Sequence, residues 1–148
     1  MKLSNKSIYA LRVLRHLVEA YNKRPLSAYE LAEKEGISLK YLEQVLGTLR
    51  TNGLLISIRG KDGGYSLRKP PELISLGDII RSIDGPLAPI QCASRTAPYK
   101  QSDCPYPYDS CWLRKLMLRV RDNISDVLDS ETLAQMADDA RKSLKGMK

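Results

Sequence analysis

The chain is poor in the groups that most enzymes need. It holds a single histidine, His16, which stands far along the chain from all three cysteines. A cysteine nucleophile needs a nearby base to take its proton, so a thiol-dependent enzyme is not expected. No dinucleotide fingerprint occurs, and GKDGG at residues 60–64 lacks the spacing of a phosphate-cradling P-loop. Long apolar runs are also missing. Arg12, Arg15 and His16 interrupt the apolar N-terminal stretch, so it cannot serve as the core of a signal peptide. Nothing later approaches membrane-spanning length. A cytoplasmic, non-enzymatic protein with no membrane partner is expected. In that compartment thiols stay reduced, and three cysteines cannot all pair off. Metal ligation or thiol redox chemistry therefore outranks a disulfide framework.

What is present in excess is positive charge, and it is unevenly placed. Residues 1–70 carry 13 Lys plus Arg against 6 Asp plus Glu, whereas residues 71–148 carry 11 of each. The whole net charge of +7 thus belongs to the first half, which points to a polyanionic partner there and a different task for the second half.

Periodicity predicts mainly α structure with a small β wing. A first helix runs from about Asn5 to Tyr21, with Ile8, Leu11, Leu14, Val18 and Tyr21 at helical spacing. Pro25 ends the segment. Ser27 offers an N-cap, with Glu30 placed to complete a capping box, and the short helix that follows stops at Gly36. Ser38 caps a third helix to about Asn52, with Leu39, Leu42, Val45, Leu46 and Leu49 on one side. Two helices joined through Gly36 make a helix-turn-helix. Leu54 to Ile58, the turn residues Lys61-Asp62-Gly63-Gly64 and the return strand Tyr65 to Leu67 then form a basic wing.

In such a module the first two turns of the third helix enter the major groove of double-stranded DNA. Ser38, Lys40, Tyr41, Glu43 and Gln44 occupy those turns. Gln44 is suited to reading adenine, Glu43 to accepting from cytosine, and Lys40 to guanine or a phosphate; Tyr41 fits packing or a phosphate better than a base. Arg59 at the wing suits a narrow minor groove, and Lys61 a phosphate.

Past Pro70-Pro71, Ser75 opens a short helix that Gly85-Pro86 ends. Pro89, Pro98, Pro105 and Pro107 exclude a regular helix over roughly residues 86–108, and all three cysteines, Cys92, Cys104 and Cys111, lie within this stretch or three residues past it. No C-x-x-C knuckle is present, which disfavours structural zinc; soft thiolates at irregular spacing suit an iron-sulfur cluster, 2Fe-2S or 4Fe-4S, while reactive thiols without metal stay open. Tyr99, Tyr106 and Tyr108 are placed to shield such a centre from water. Beyond Cys111, Trp112, Leu113, Leu116, Met117, Val120, Ile124, Val127 and Leu128 form an apolar stripe roughly 25 Å long. A helix of a second subunit is its simplest cover, with packing onto helices of the same chain as the alternative. A last helix spans Ser130 to about Leu144. The expected organisation is a winged helix-turn-helix domain over 1–85, a cofactor loop over 86–110, and a dimerisation helix with a C-terminal helix over 111–148.

Three segments, LSNKSIYALRVL, GISLKYLEQVLGTLRTNGLLISIRGKDGGYSL and ISLGDIIRSIDG, resemble the Rrf2 family of bacterial transcription regulators, and the resemblance spans nearly the whole chain. It implies a homodimer that binds a pseudo-palindromic operator. Its best-known members, an iron-sulfur cluster regulator and a nitric oxide-sensing repressor, ligate a cluster through three cysteines of this loop; some relatives regulate without one. The resemblance also points to Arg59 as the wing's DNA-contacting residue. The chain departs from the pattern at the fourth ligand. Arg114 replaces the histidine three residues past the last cysteine, and Ile8 and Arg12 stand at the first-helix positions that other members use. His16, Asp103 and Asp109 are the candidates left, with His16 expected on a solvated helix face.

Overall fold

The computed structural model describes residues 2–100 and 104–147. Six helices and one hairpin follow in the order α1 (Asn5–Glu19), α2 (Ala28–Glu35), α3 (Leu39–Thr51), β1 (Leu55–Ile58), β2 (Gly64–Leu67), α4 (Leu76–Asp84), α5 (Trp112–Ser130) and α6 (Leu133–Lys145). Short 3-10 turns lie at Pro71–Leu73 and Gln91–Ala93. The protein is a mainly helical winged helix-turn-helix.

Side-chain caps set most of the helix starts. The hydroxyls of Ser4, Ser27, Ser38 and Ser75 each accept the backbone N–H three residues ahead, satisfying a donor that the helix itself cannot. At Ser27 only this half of the expected capping box forms. The Glu30 carboxylate is taken instead by Arg24, at 2.7 and 2.9 Å. The full box occurs at α6, where Thr132 and Gln135 bond reciprocally. Gly36 ends α2 at φ 64°, a left-handed conformation that costs a residue bearing a Cβ.

One core joins the elements. Val13, Leu14, Leu31, Leu42, Val45, Leu46, Leu49 and Leu55 are fully buried, each leucine contributing about 1.5–3 kcal/mol. α1 lies at its centre, in contact with α2, α3, α4 and α6. Its buried residues are therefore Ser7, Ala10, Val13, Leu14 and Leu17, while Leu11, Val18 and Tyr21 line the rim and Ile8 is 42% exposed. The buried stripe is rotated round the helix from the expected one and shares Leu14 with it, the small residues Ser7 and Ala10 taking buried positions that a search for large apolar side chains passes over. Leu39, expected inward on α3, is the first residue of the helix and is 41% exposed.

The wing pairs antiparallel, with Leu55 opposite Leu67 and Ile58 opposite Gly64. Leu26 and Tyr65 exchange backbone hydrogen bonds at 3.0 and 2.8 Å, which fixes the hairpin to the segment before α2. A Cβ at Gly63 would stand 2.2 Å from the Ile58 carbonyl oxygen, so only glycine fits there.

α6 returns to α1 and places Leu133 in the same core, with Met136 packed against it and Ala137 also buried. Backbone bonds from Leu76 N to Glu131 O (2.9 Å) and from Leu133 N to Ile74 O (2.8 Å) tie the α5–α6 junction to the start of α4. α5 differs from every other helix in burying no residue. Trp112 is 71% and Val127 62% exposed, and Leu113 and Leu116 are also open.

Candidate nucleic-acid interface and cysteine loop

α3 presents a polar outer face because its four buried residues, Leu42, Val45, Leu46 and Leu49, all point the other way. Lys40, Glu43 and Gln44 are exposed, and none of these side chains is committed to a partner within the described residues. Ser38 is exposed as well; its oxygen accepts the Tyr41 N–H at 3.3 Å, which leaves its own O–H free to donate. Tyr41 is half-buried with its ring edge-on to Tyr9, centroids 5.6 Å apart. It packs. Arg59 and Lys61 sit exposed at the wing tip without an ion pair among the described residues. Sequence reading did not single out Ile56 and Ile58, which stand exposed on the same strand, or Arg68 and Lys69 just beyond the wing. Their signal was present in the alternation of β1 and in the RKP stretch.

A buried charge cluster was also missed. The Glu35 side chain is only 5% exposed and is held by Arg12 Nε at 2.6 Å and His16 Nε2 at 2.7 Å, with Arg15 at 3.9 Å. His16 is therefore not solvated: its side chain is 11% exposed and its ring nitrogen is committed to the end of α2. The cluster clamps α1 to the helix-turn-helix.

The cysteine segment lies along α5. Cys92 falls in the 3-10 turn Gln91–Ala93, Cys111 is the N-cap residue of α5, and all three thiols are half-buried. Arg114 donates from Nε to the Cys92 carbonyl at 3.0 Å, which brings the Cys92 backbone to the same end of α5 as Cys111. The Arg114 guanidinium also lies 3.7 Å from the centroid of Tyr108, which stacks on Tyr99 at 5.5 Å. The residue standing at the fourth-ligand position thus ties the loop to the helix. Tyr106 is 61% exposed.

In kind, three soft thiolates fit an iron-sulfur cluster. In arrangement they are not gathered around one: among the described residues no three His, Cys, Asp or Glu side chains come together as a metal-holding group. Asp109 is exposed, His16 is engaged by Glu35, and Asp103 lies outside the described residues.

Further hydrogen bonds carry the loop's position inward. Arg121 donates to Ala93 O at 2.7 Å and to Asp122 at 2.6 Å, and Arg95 reaches Asp122 at 3.3 Å. Arg81 of α4 forks onto Asp129 of α5 at 2.8 and 2.7 Å. That hydrogen-bonded fork, with its charge, holds the Asp129 carboxyl below the ordinary carboxylate range. Asn52, which caps the C-terminus of α3, donates to Ser82 O of α4 at 2.6 Å.

The Rrf2 family model, described as "Iron-dependent Transcriptional regulator", matches residues 3–139. The chain is 37% identical over 137 residues to the HTH-type transcriptional regulator CymR of Bacillus subtilis, covering 93% of this chain and 90% of that one. The solved structure of CymR, the global cysteine regulator of B. subtilis, superposes with a TM-score of 0.74 at 36% identity, over 93% and 97% of the two chains. That of T. potens IscR gives a TM-score of 0.74 at 33% identity, over 97% and 90%.

Proposed function

The chain belongs to the Rrf2 family of transcriptional regulators, and from that premise we propose a homodimeric, cytoplasmic DNA-binding protein whose operator affinity follows the state of Cys92, Cys104 and Cys111. It is a regulator and not an enzyme. The observation that carries the DNA-binding reading is the outer face of α3. Lys40, Glu43 and Gln44 stand free of internal partners there, and the wing carries Arg59 and Lys61 beside them in chain order, all within the basic half. Gln44 and Glu43 would read base edges, Lys40 a guanine or phosphate, and Ser38 and Lys61 phosphates, with Arg59 in the minor groove. Tyr41 supports α3 through Tyr9 rather than reading a base. The open stripe of α5 would be covered by the same helix of a second subunit, so that two recognition helices meet half-sites about 34 Å apart or a multiple of it. Among the described residues no helix is long and apolar enough to cross a membrane.

Brought together about one centre, the three thiolates would hold a 2Fe-2S or 4Fe-4S cluster, which would supply chemistry sensitive to iron and redox state. Movement of the loop would be felt by α5 through Arg114, Arg121 and Asp122, by α4 through Arg81 and Asp129, and by α3 through Ser82 and Asn52. Such a chain of contacts couples the sites only if the elements have two arrangements that bind DNA differently. A second reading, direct thiol chemistry without metal, draws support from Arg114 at the fourth-ligand position and from the ungathered thiols.

Selection of operators from random duplexes tests the reading, followed by titration of Gln44→Ala on the selected sequence. Loss of one bidentate base contact predicts binding weaker by about 1–3 kcal/mol and relaxed preference at one base pair in each half-site, with unchanged stability. A chain that shows no sequence preference at physiological salt would refute it.

A further inference from the structure

A cavity of about 270 Å³ opens where the cysteine loop, α4 and α5 meet, and nothing in the reading above uses it. Three guanidinium groups reach it from three elements: Arg81 from α4, Arg95 from the loop and Arg121 from α5. Ser94, Thr96 and Ser125 add hydroxyls, and Leu87 with its neighbours gives an apolar floor.

Three arginines and one carboxylate, Asp129, line the cavity; Asp122, which Arg121 and Arg95 share, and Asp78, 3.6 Å from Arg81, stand outside that lining. The least engaged of the three cations is Arg95. Among the described residues its one hydrogen bond is the long one to Asp122 at 3.3 Å, its side chain is 73% exposed, and its remaining N–H groups have no hydrogen-bond partner there. Its field reaches across the cavity, since it contributes to holding the Asp129 carboxyl down, after the larger effect of Arg81. Ser94 accepts two backbone N–H groups and keeps its own O–H to donate.

We propose that this cavity binds a small tetrahedral oxyanion, of the class of phosphate or sulfate, between Arg95, Arg121 and the hydroxyls around them. Its volume lies just below the range of pockets that hold larger organic ligands, which suits an inorganic anion. Donors that converge from three elements match oxygens pointing in several directions; a carboxylate would be satisfied by a single arginine fork. Because Arg121 also holds the Ala93 carbonyl, one residue past Cys92, an anion here would fasten the loop in its present position. This last step rests on the regulatory reading above, whereas anion binding itself does not.

The test is thermal melting of the full chain in phosphate and in sulfate at ionic strength fixed with chloride, with acetate as a carboxylate arm. A ligand that binds only the folded state raises the melting temperature by mass action. The expected result is a saturable rise with phosphate or sulfate and little with acetate. Arg95→Gln, on an exposed side chain, should weaken the apparent affinity about tenfold, the effect of one charge-assisted hydrogen bond, without lowering the melting temperature in chloride alone. A shift that never saturates, that matches chloride, or that survives Arg95→Gln unchanged would overturn the site. Acetate binding as tightly as phosphate and sulfate would overturn the tetrahedral assignment. Saturable binding that leaves operator affinity untouched would overturn only the link to the loop.

Discussion

Gly63→Ala tests the wing most sharply. The added Cβ would lie 2.2 Å from the Ile58 carbonyl oxygen and 2.9 Å from that of Gly60, against ordinary contacts that begin at 3.4 Å. The shortfall is 3.4 − 2.2 = 1.2 Å, and both obstacles are backbone, so the hairpin tip must open. Opening costs the Gly63 N–H bond to Gly60 O and frays the Ile58–Gly64 pair. Leu55 and Leu67, fully or almost fully buried, still anchor the strands at their other end. The damage therefore stays local, about 1–3 kcal/mol. For a chain of this size that lowers the melting temperature by roughly 3–9 °C. Arg59 and Lys61 ride on the displaced tip. Operator affinity, read by fluorescence anisotropy at fixed salt, should fall about 5- to 150-fold, the worth of one groove contact. An unchanged melting temperature would refute the steric reasoning. A lowered melting temperature with parental affinity would refute the wing's part in DNA binding.

Glu35→Ala removes the carboxylate that Arg12, Arg15 and His16 surround and leaves their charges and donors without it. The expected loss is about 2–4 kcal/mol in urea unfolding, at the lower end of the range for broken buried pairs because Arg12 is half-exposed. A loss under 0.5 kcal/mol, roughly the scale of an ordinary surface change, would show that the clamp contributes nothing. Asp129→Asn addresses pH. Arg81 depresses the Asp129 carboxyl, so their pairing stabilises fully above the unfolded carboxylate range near pH 4 and is lost as pH falls through the lower folded value. Both side chains are more than a third exposed, so the effect is under about 1 kcal/mol. The variant should melt slightly lower than the parent at pH 7, with the gap closing toward pH 2; a gap that widens in acid would reverse the assignment.

Local signals were legible where one residue settles one bond. Ser27, Ser38 and Ser75 start helices because a hydroxyl three residues ahead of an orphan N–H is a short-range device, and Gly36 ends one because its φ is positive. The wing was equally plain from its alternation and glycines. Long-range pairing was not. Glu35 meets residues 19 to 23 positions earlier, and no periodicity announces that a His16 on a charged-looking face will be buried. Nor did charge-rich α6 reveal that Leu133 enters the α1 core, since that residue and the partly buried Met136 are the α6 side chains that reach it. The cysteine loop was recognisable as a place by its prolines and thiols. Its internal arrangement follows from Arg114, Arg121 and Tyr108, whose reach depends on where α5 lies.

The central claim is that three thiols govern how tightly DNA is held. Its most direct test is operator affinity of the parent and of the Cys92→Ala, Cys104→Ala, Cys111→Ala triple variant, each measured anaerobically and in air, with and without iron. The account predicts that parental affinity moves by about 5- to 150-fold between conditions, the usual scale of coupling between sites, and that the variant holds one value throughout. A variant whose affinity follows the parent's in every condition would contradict it.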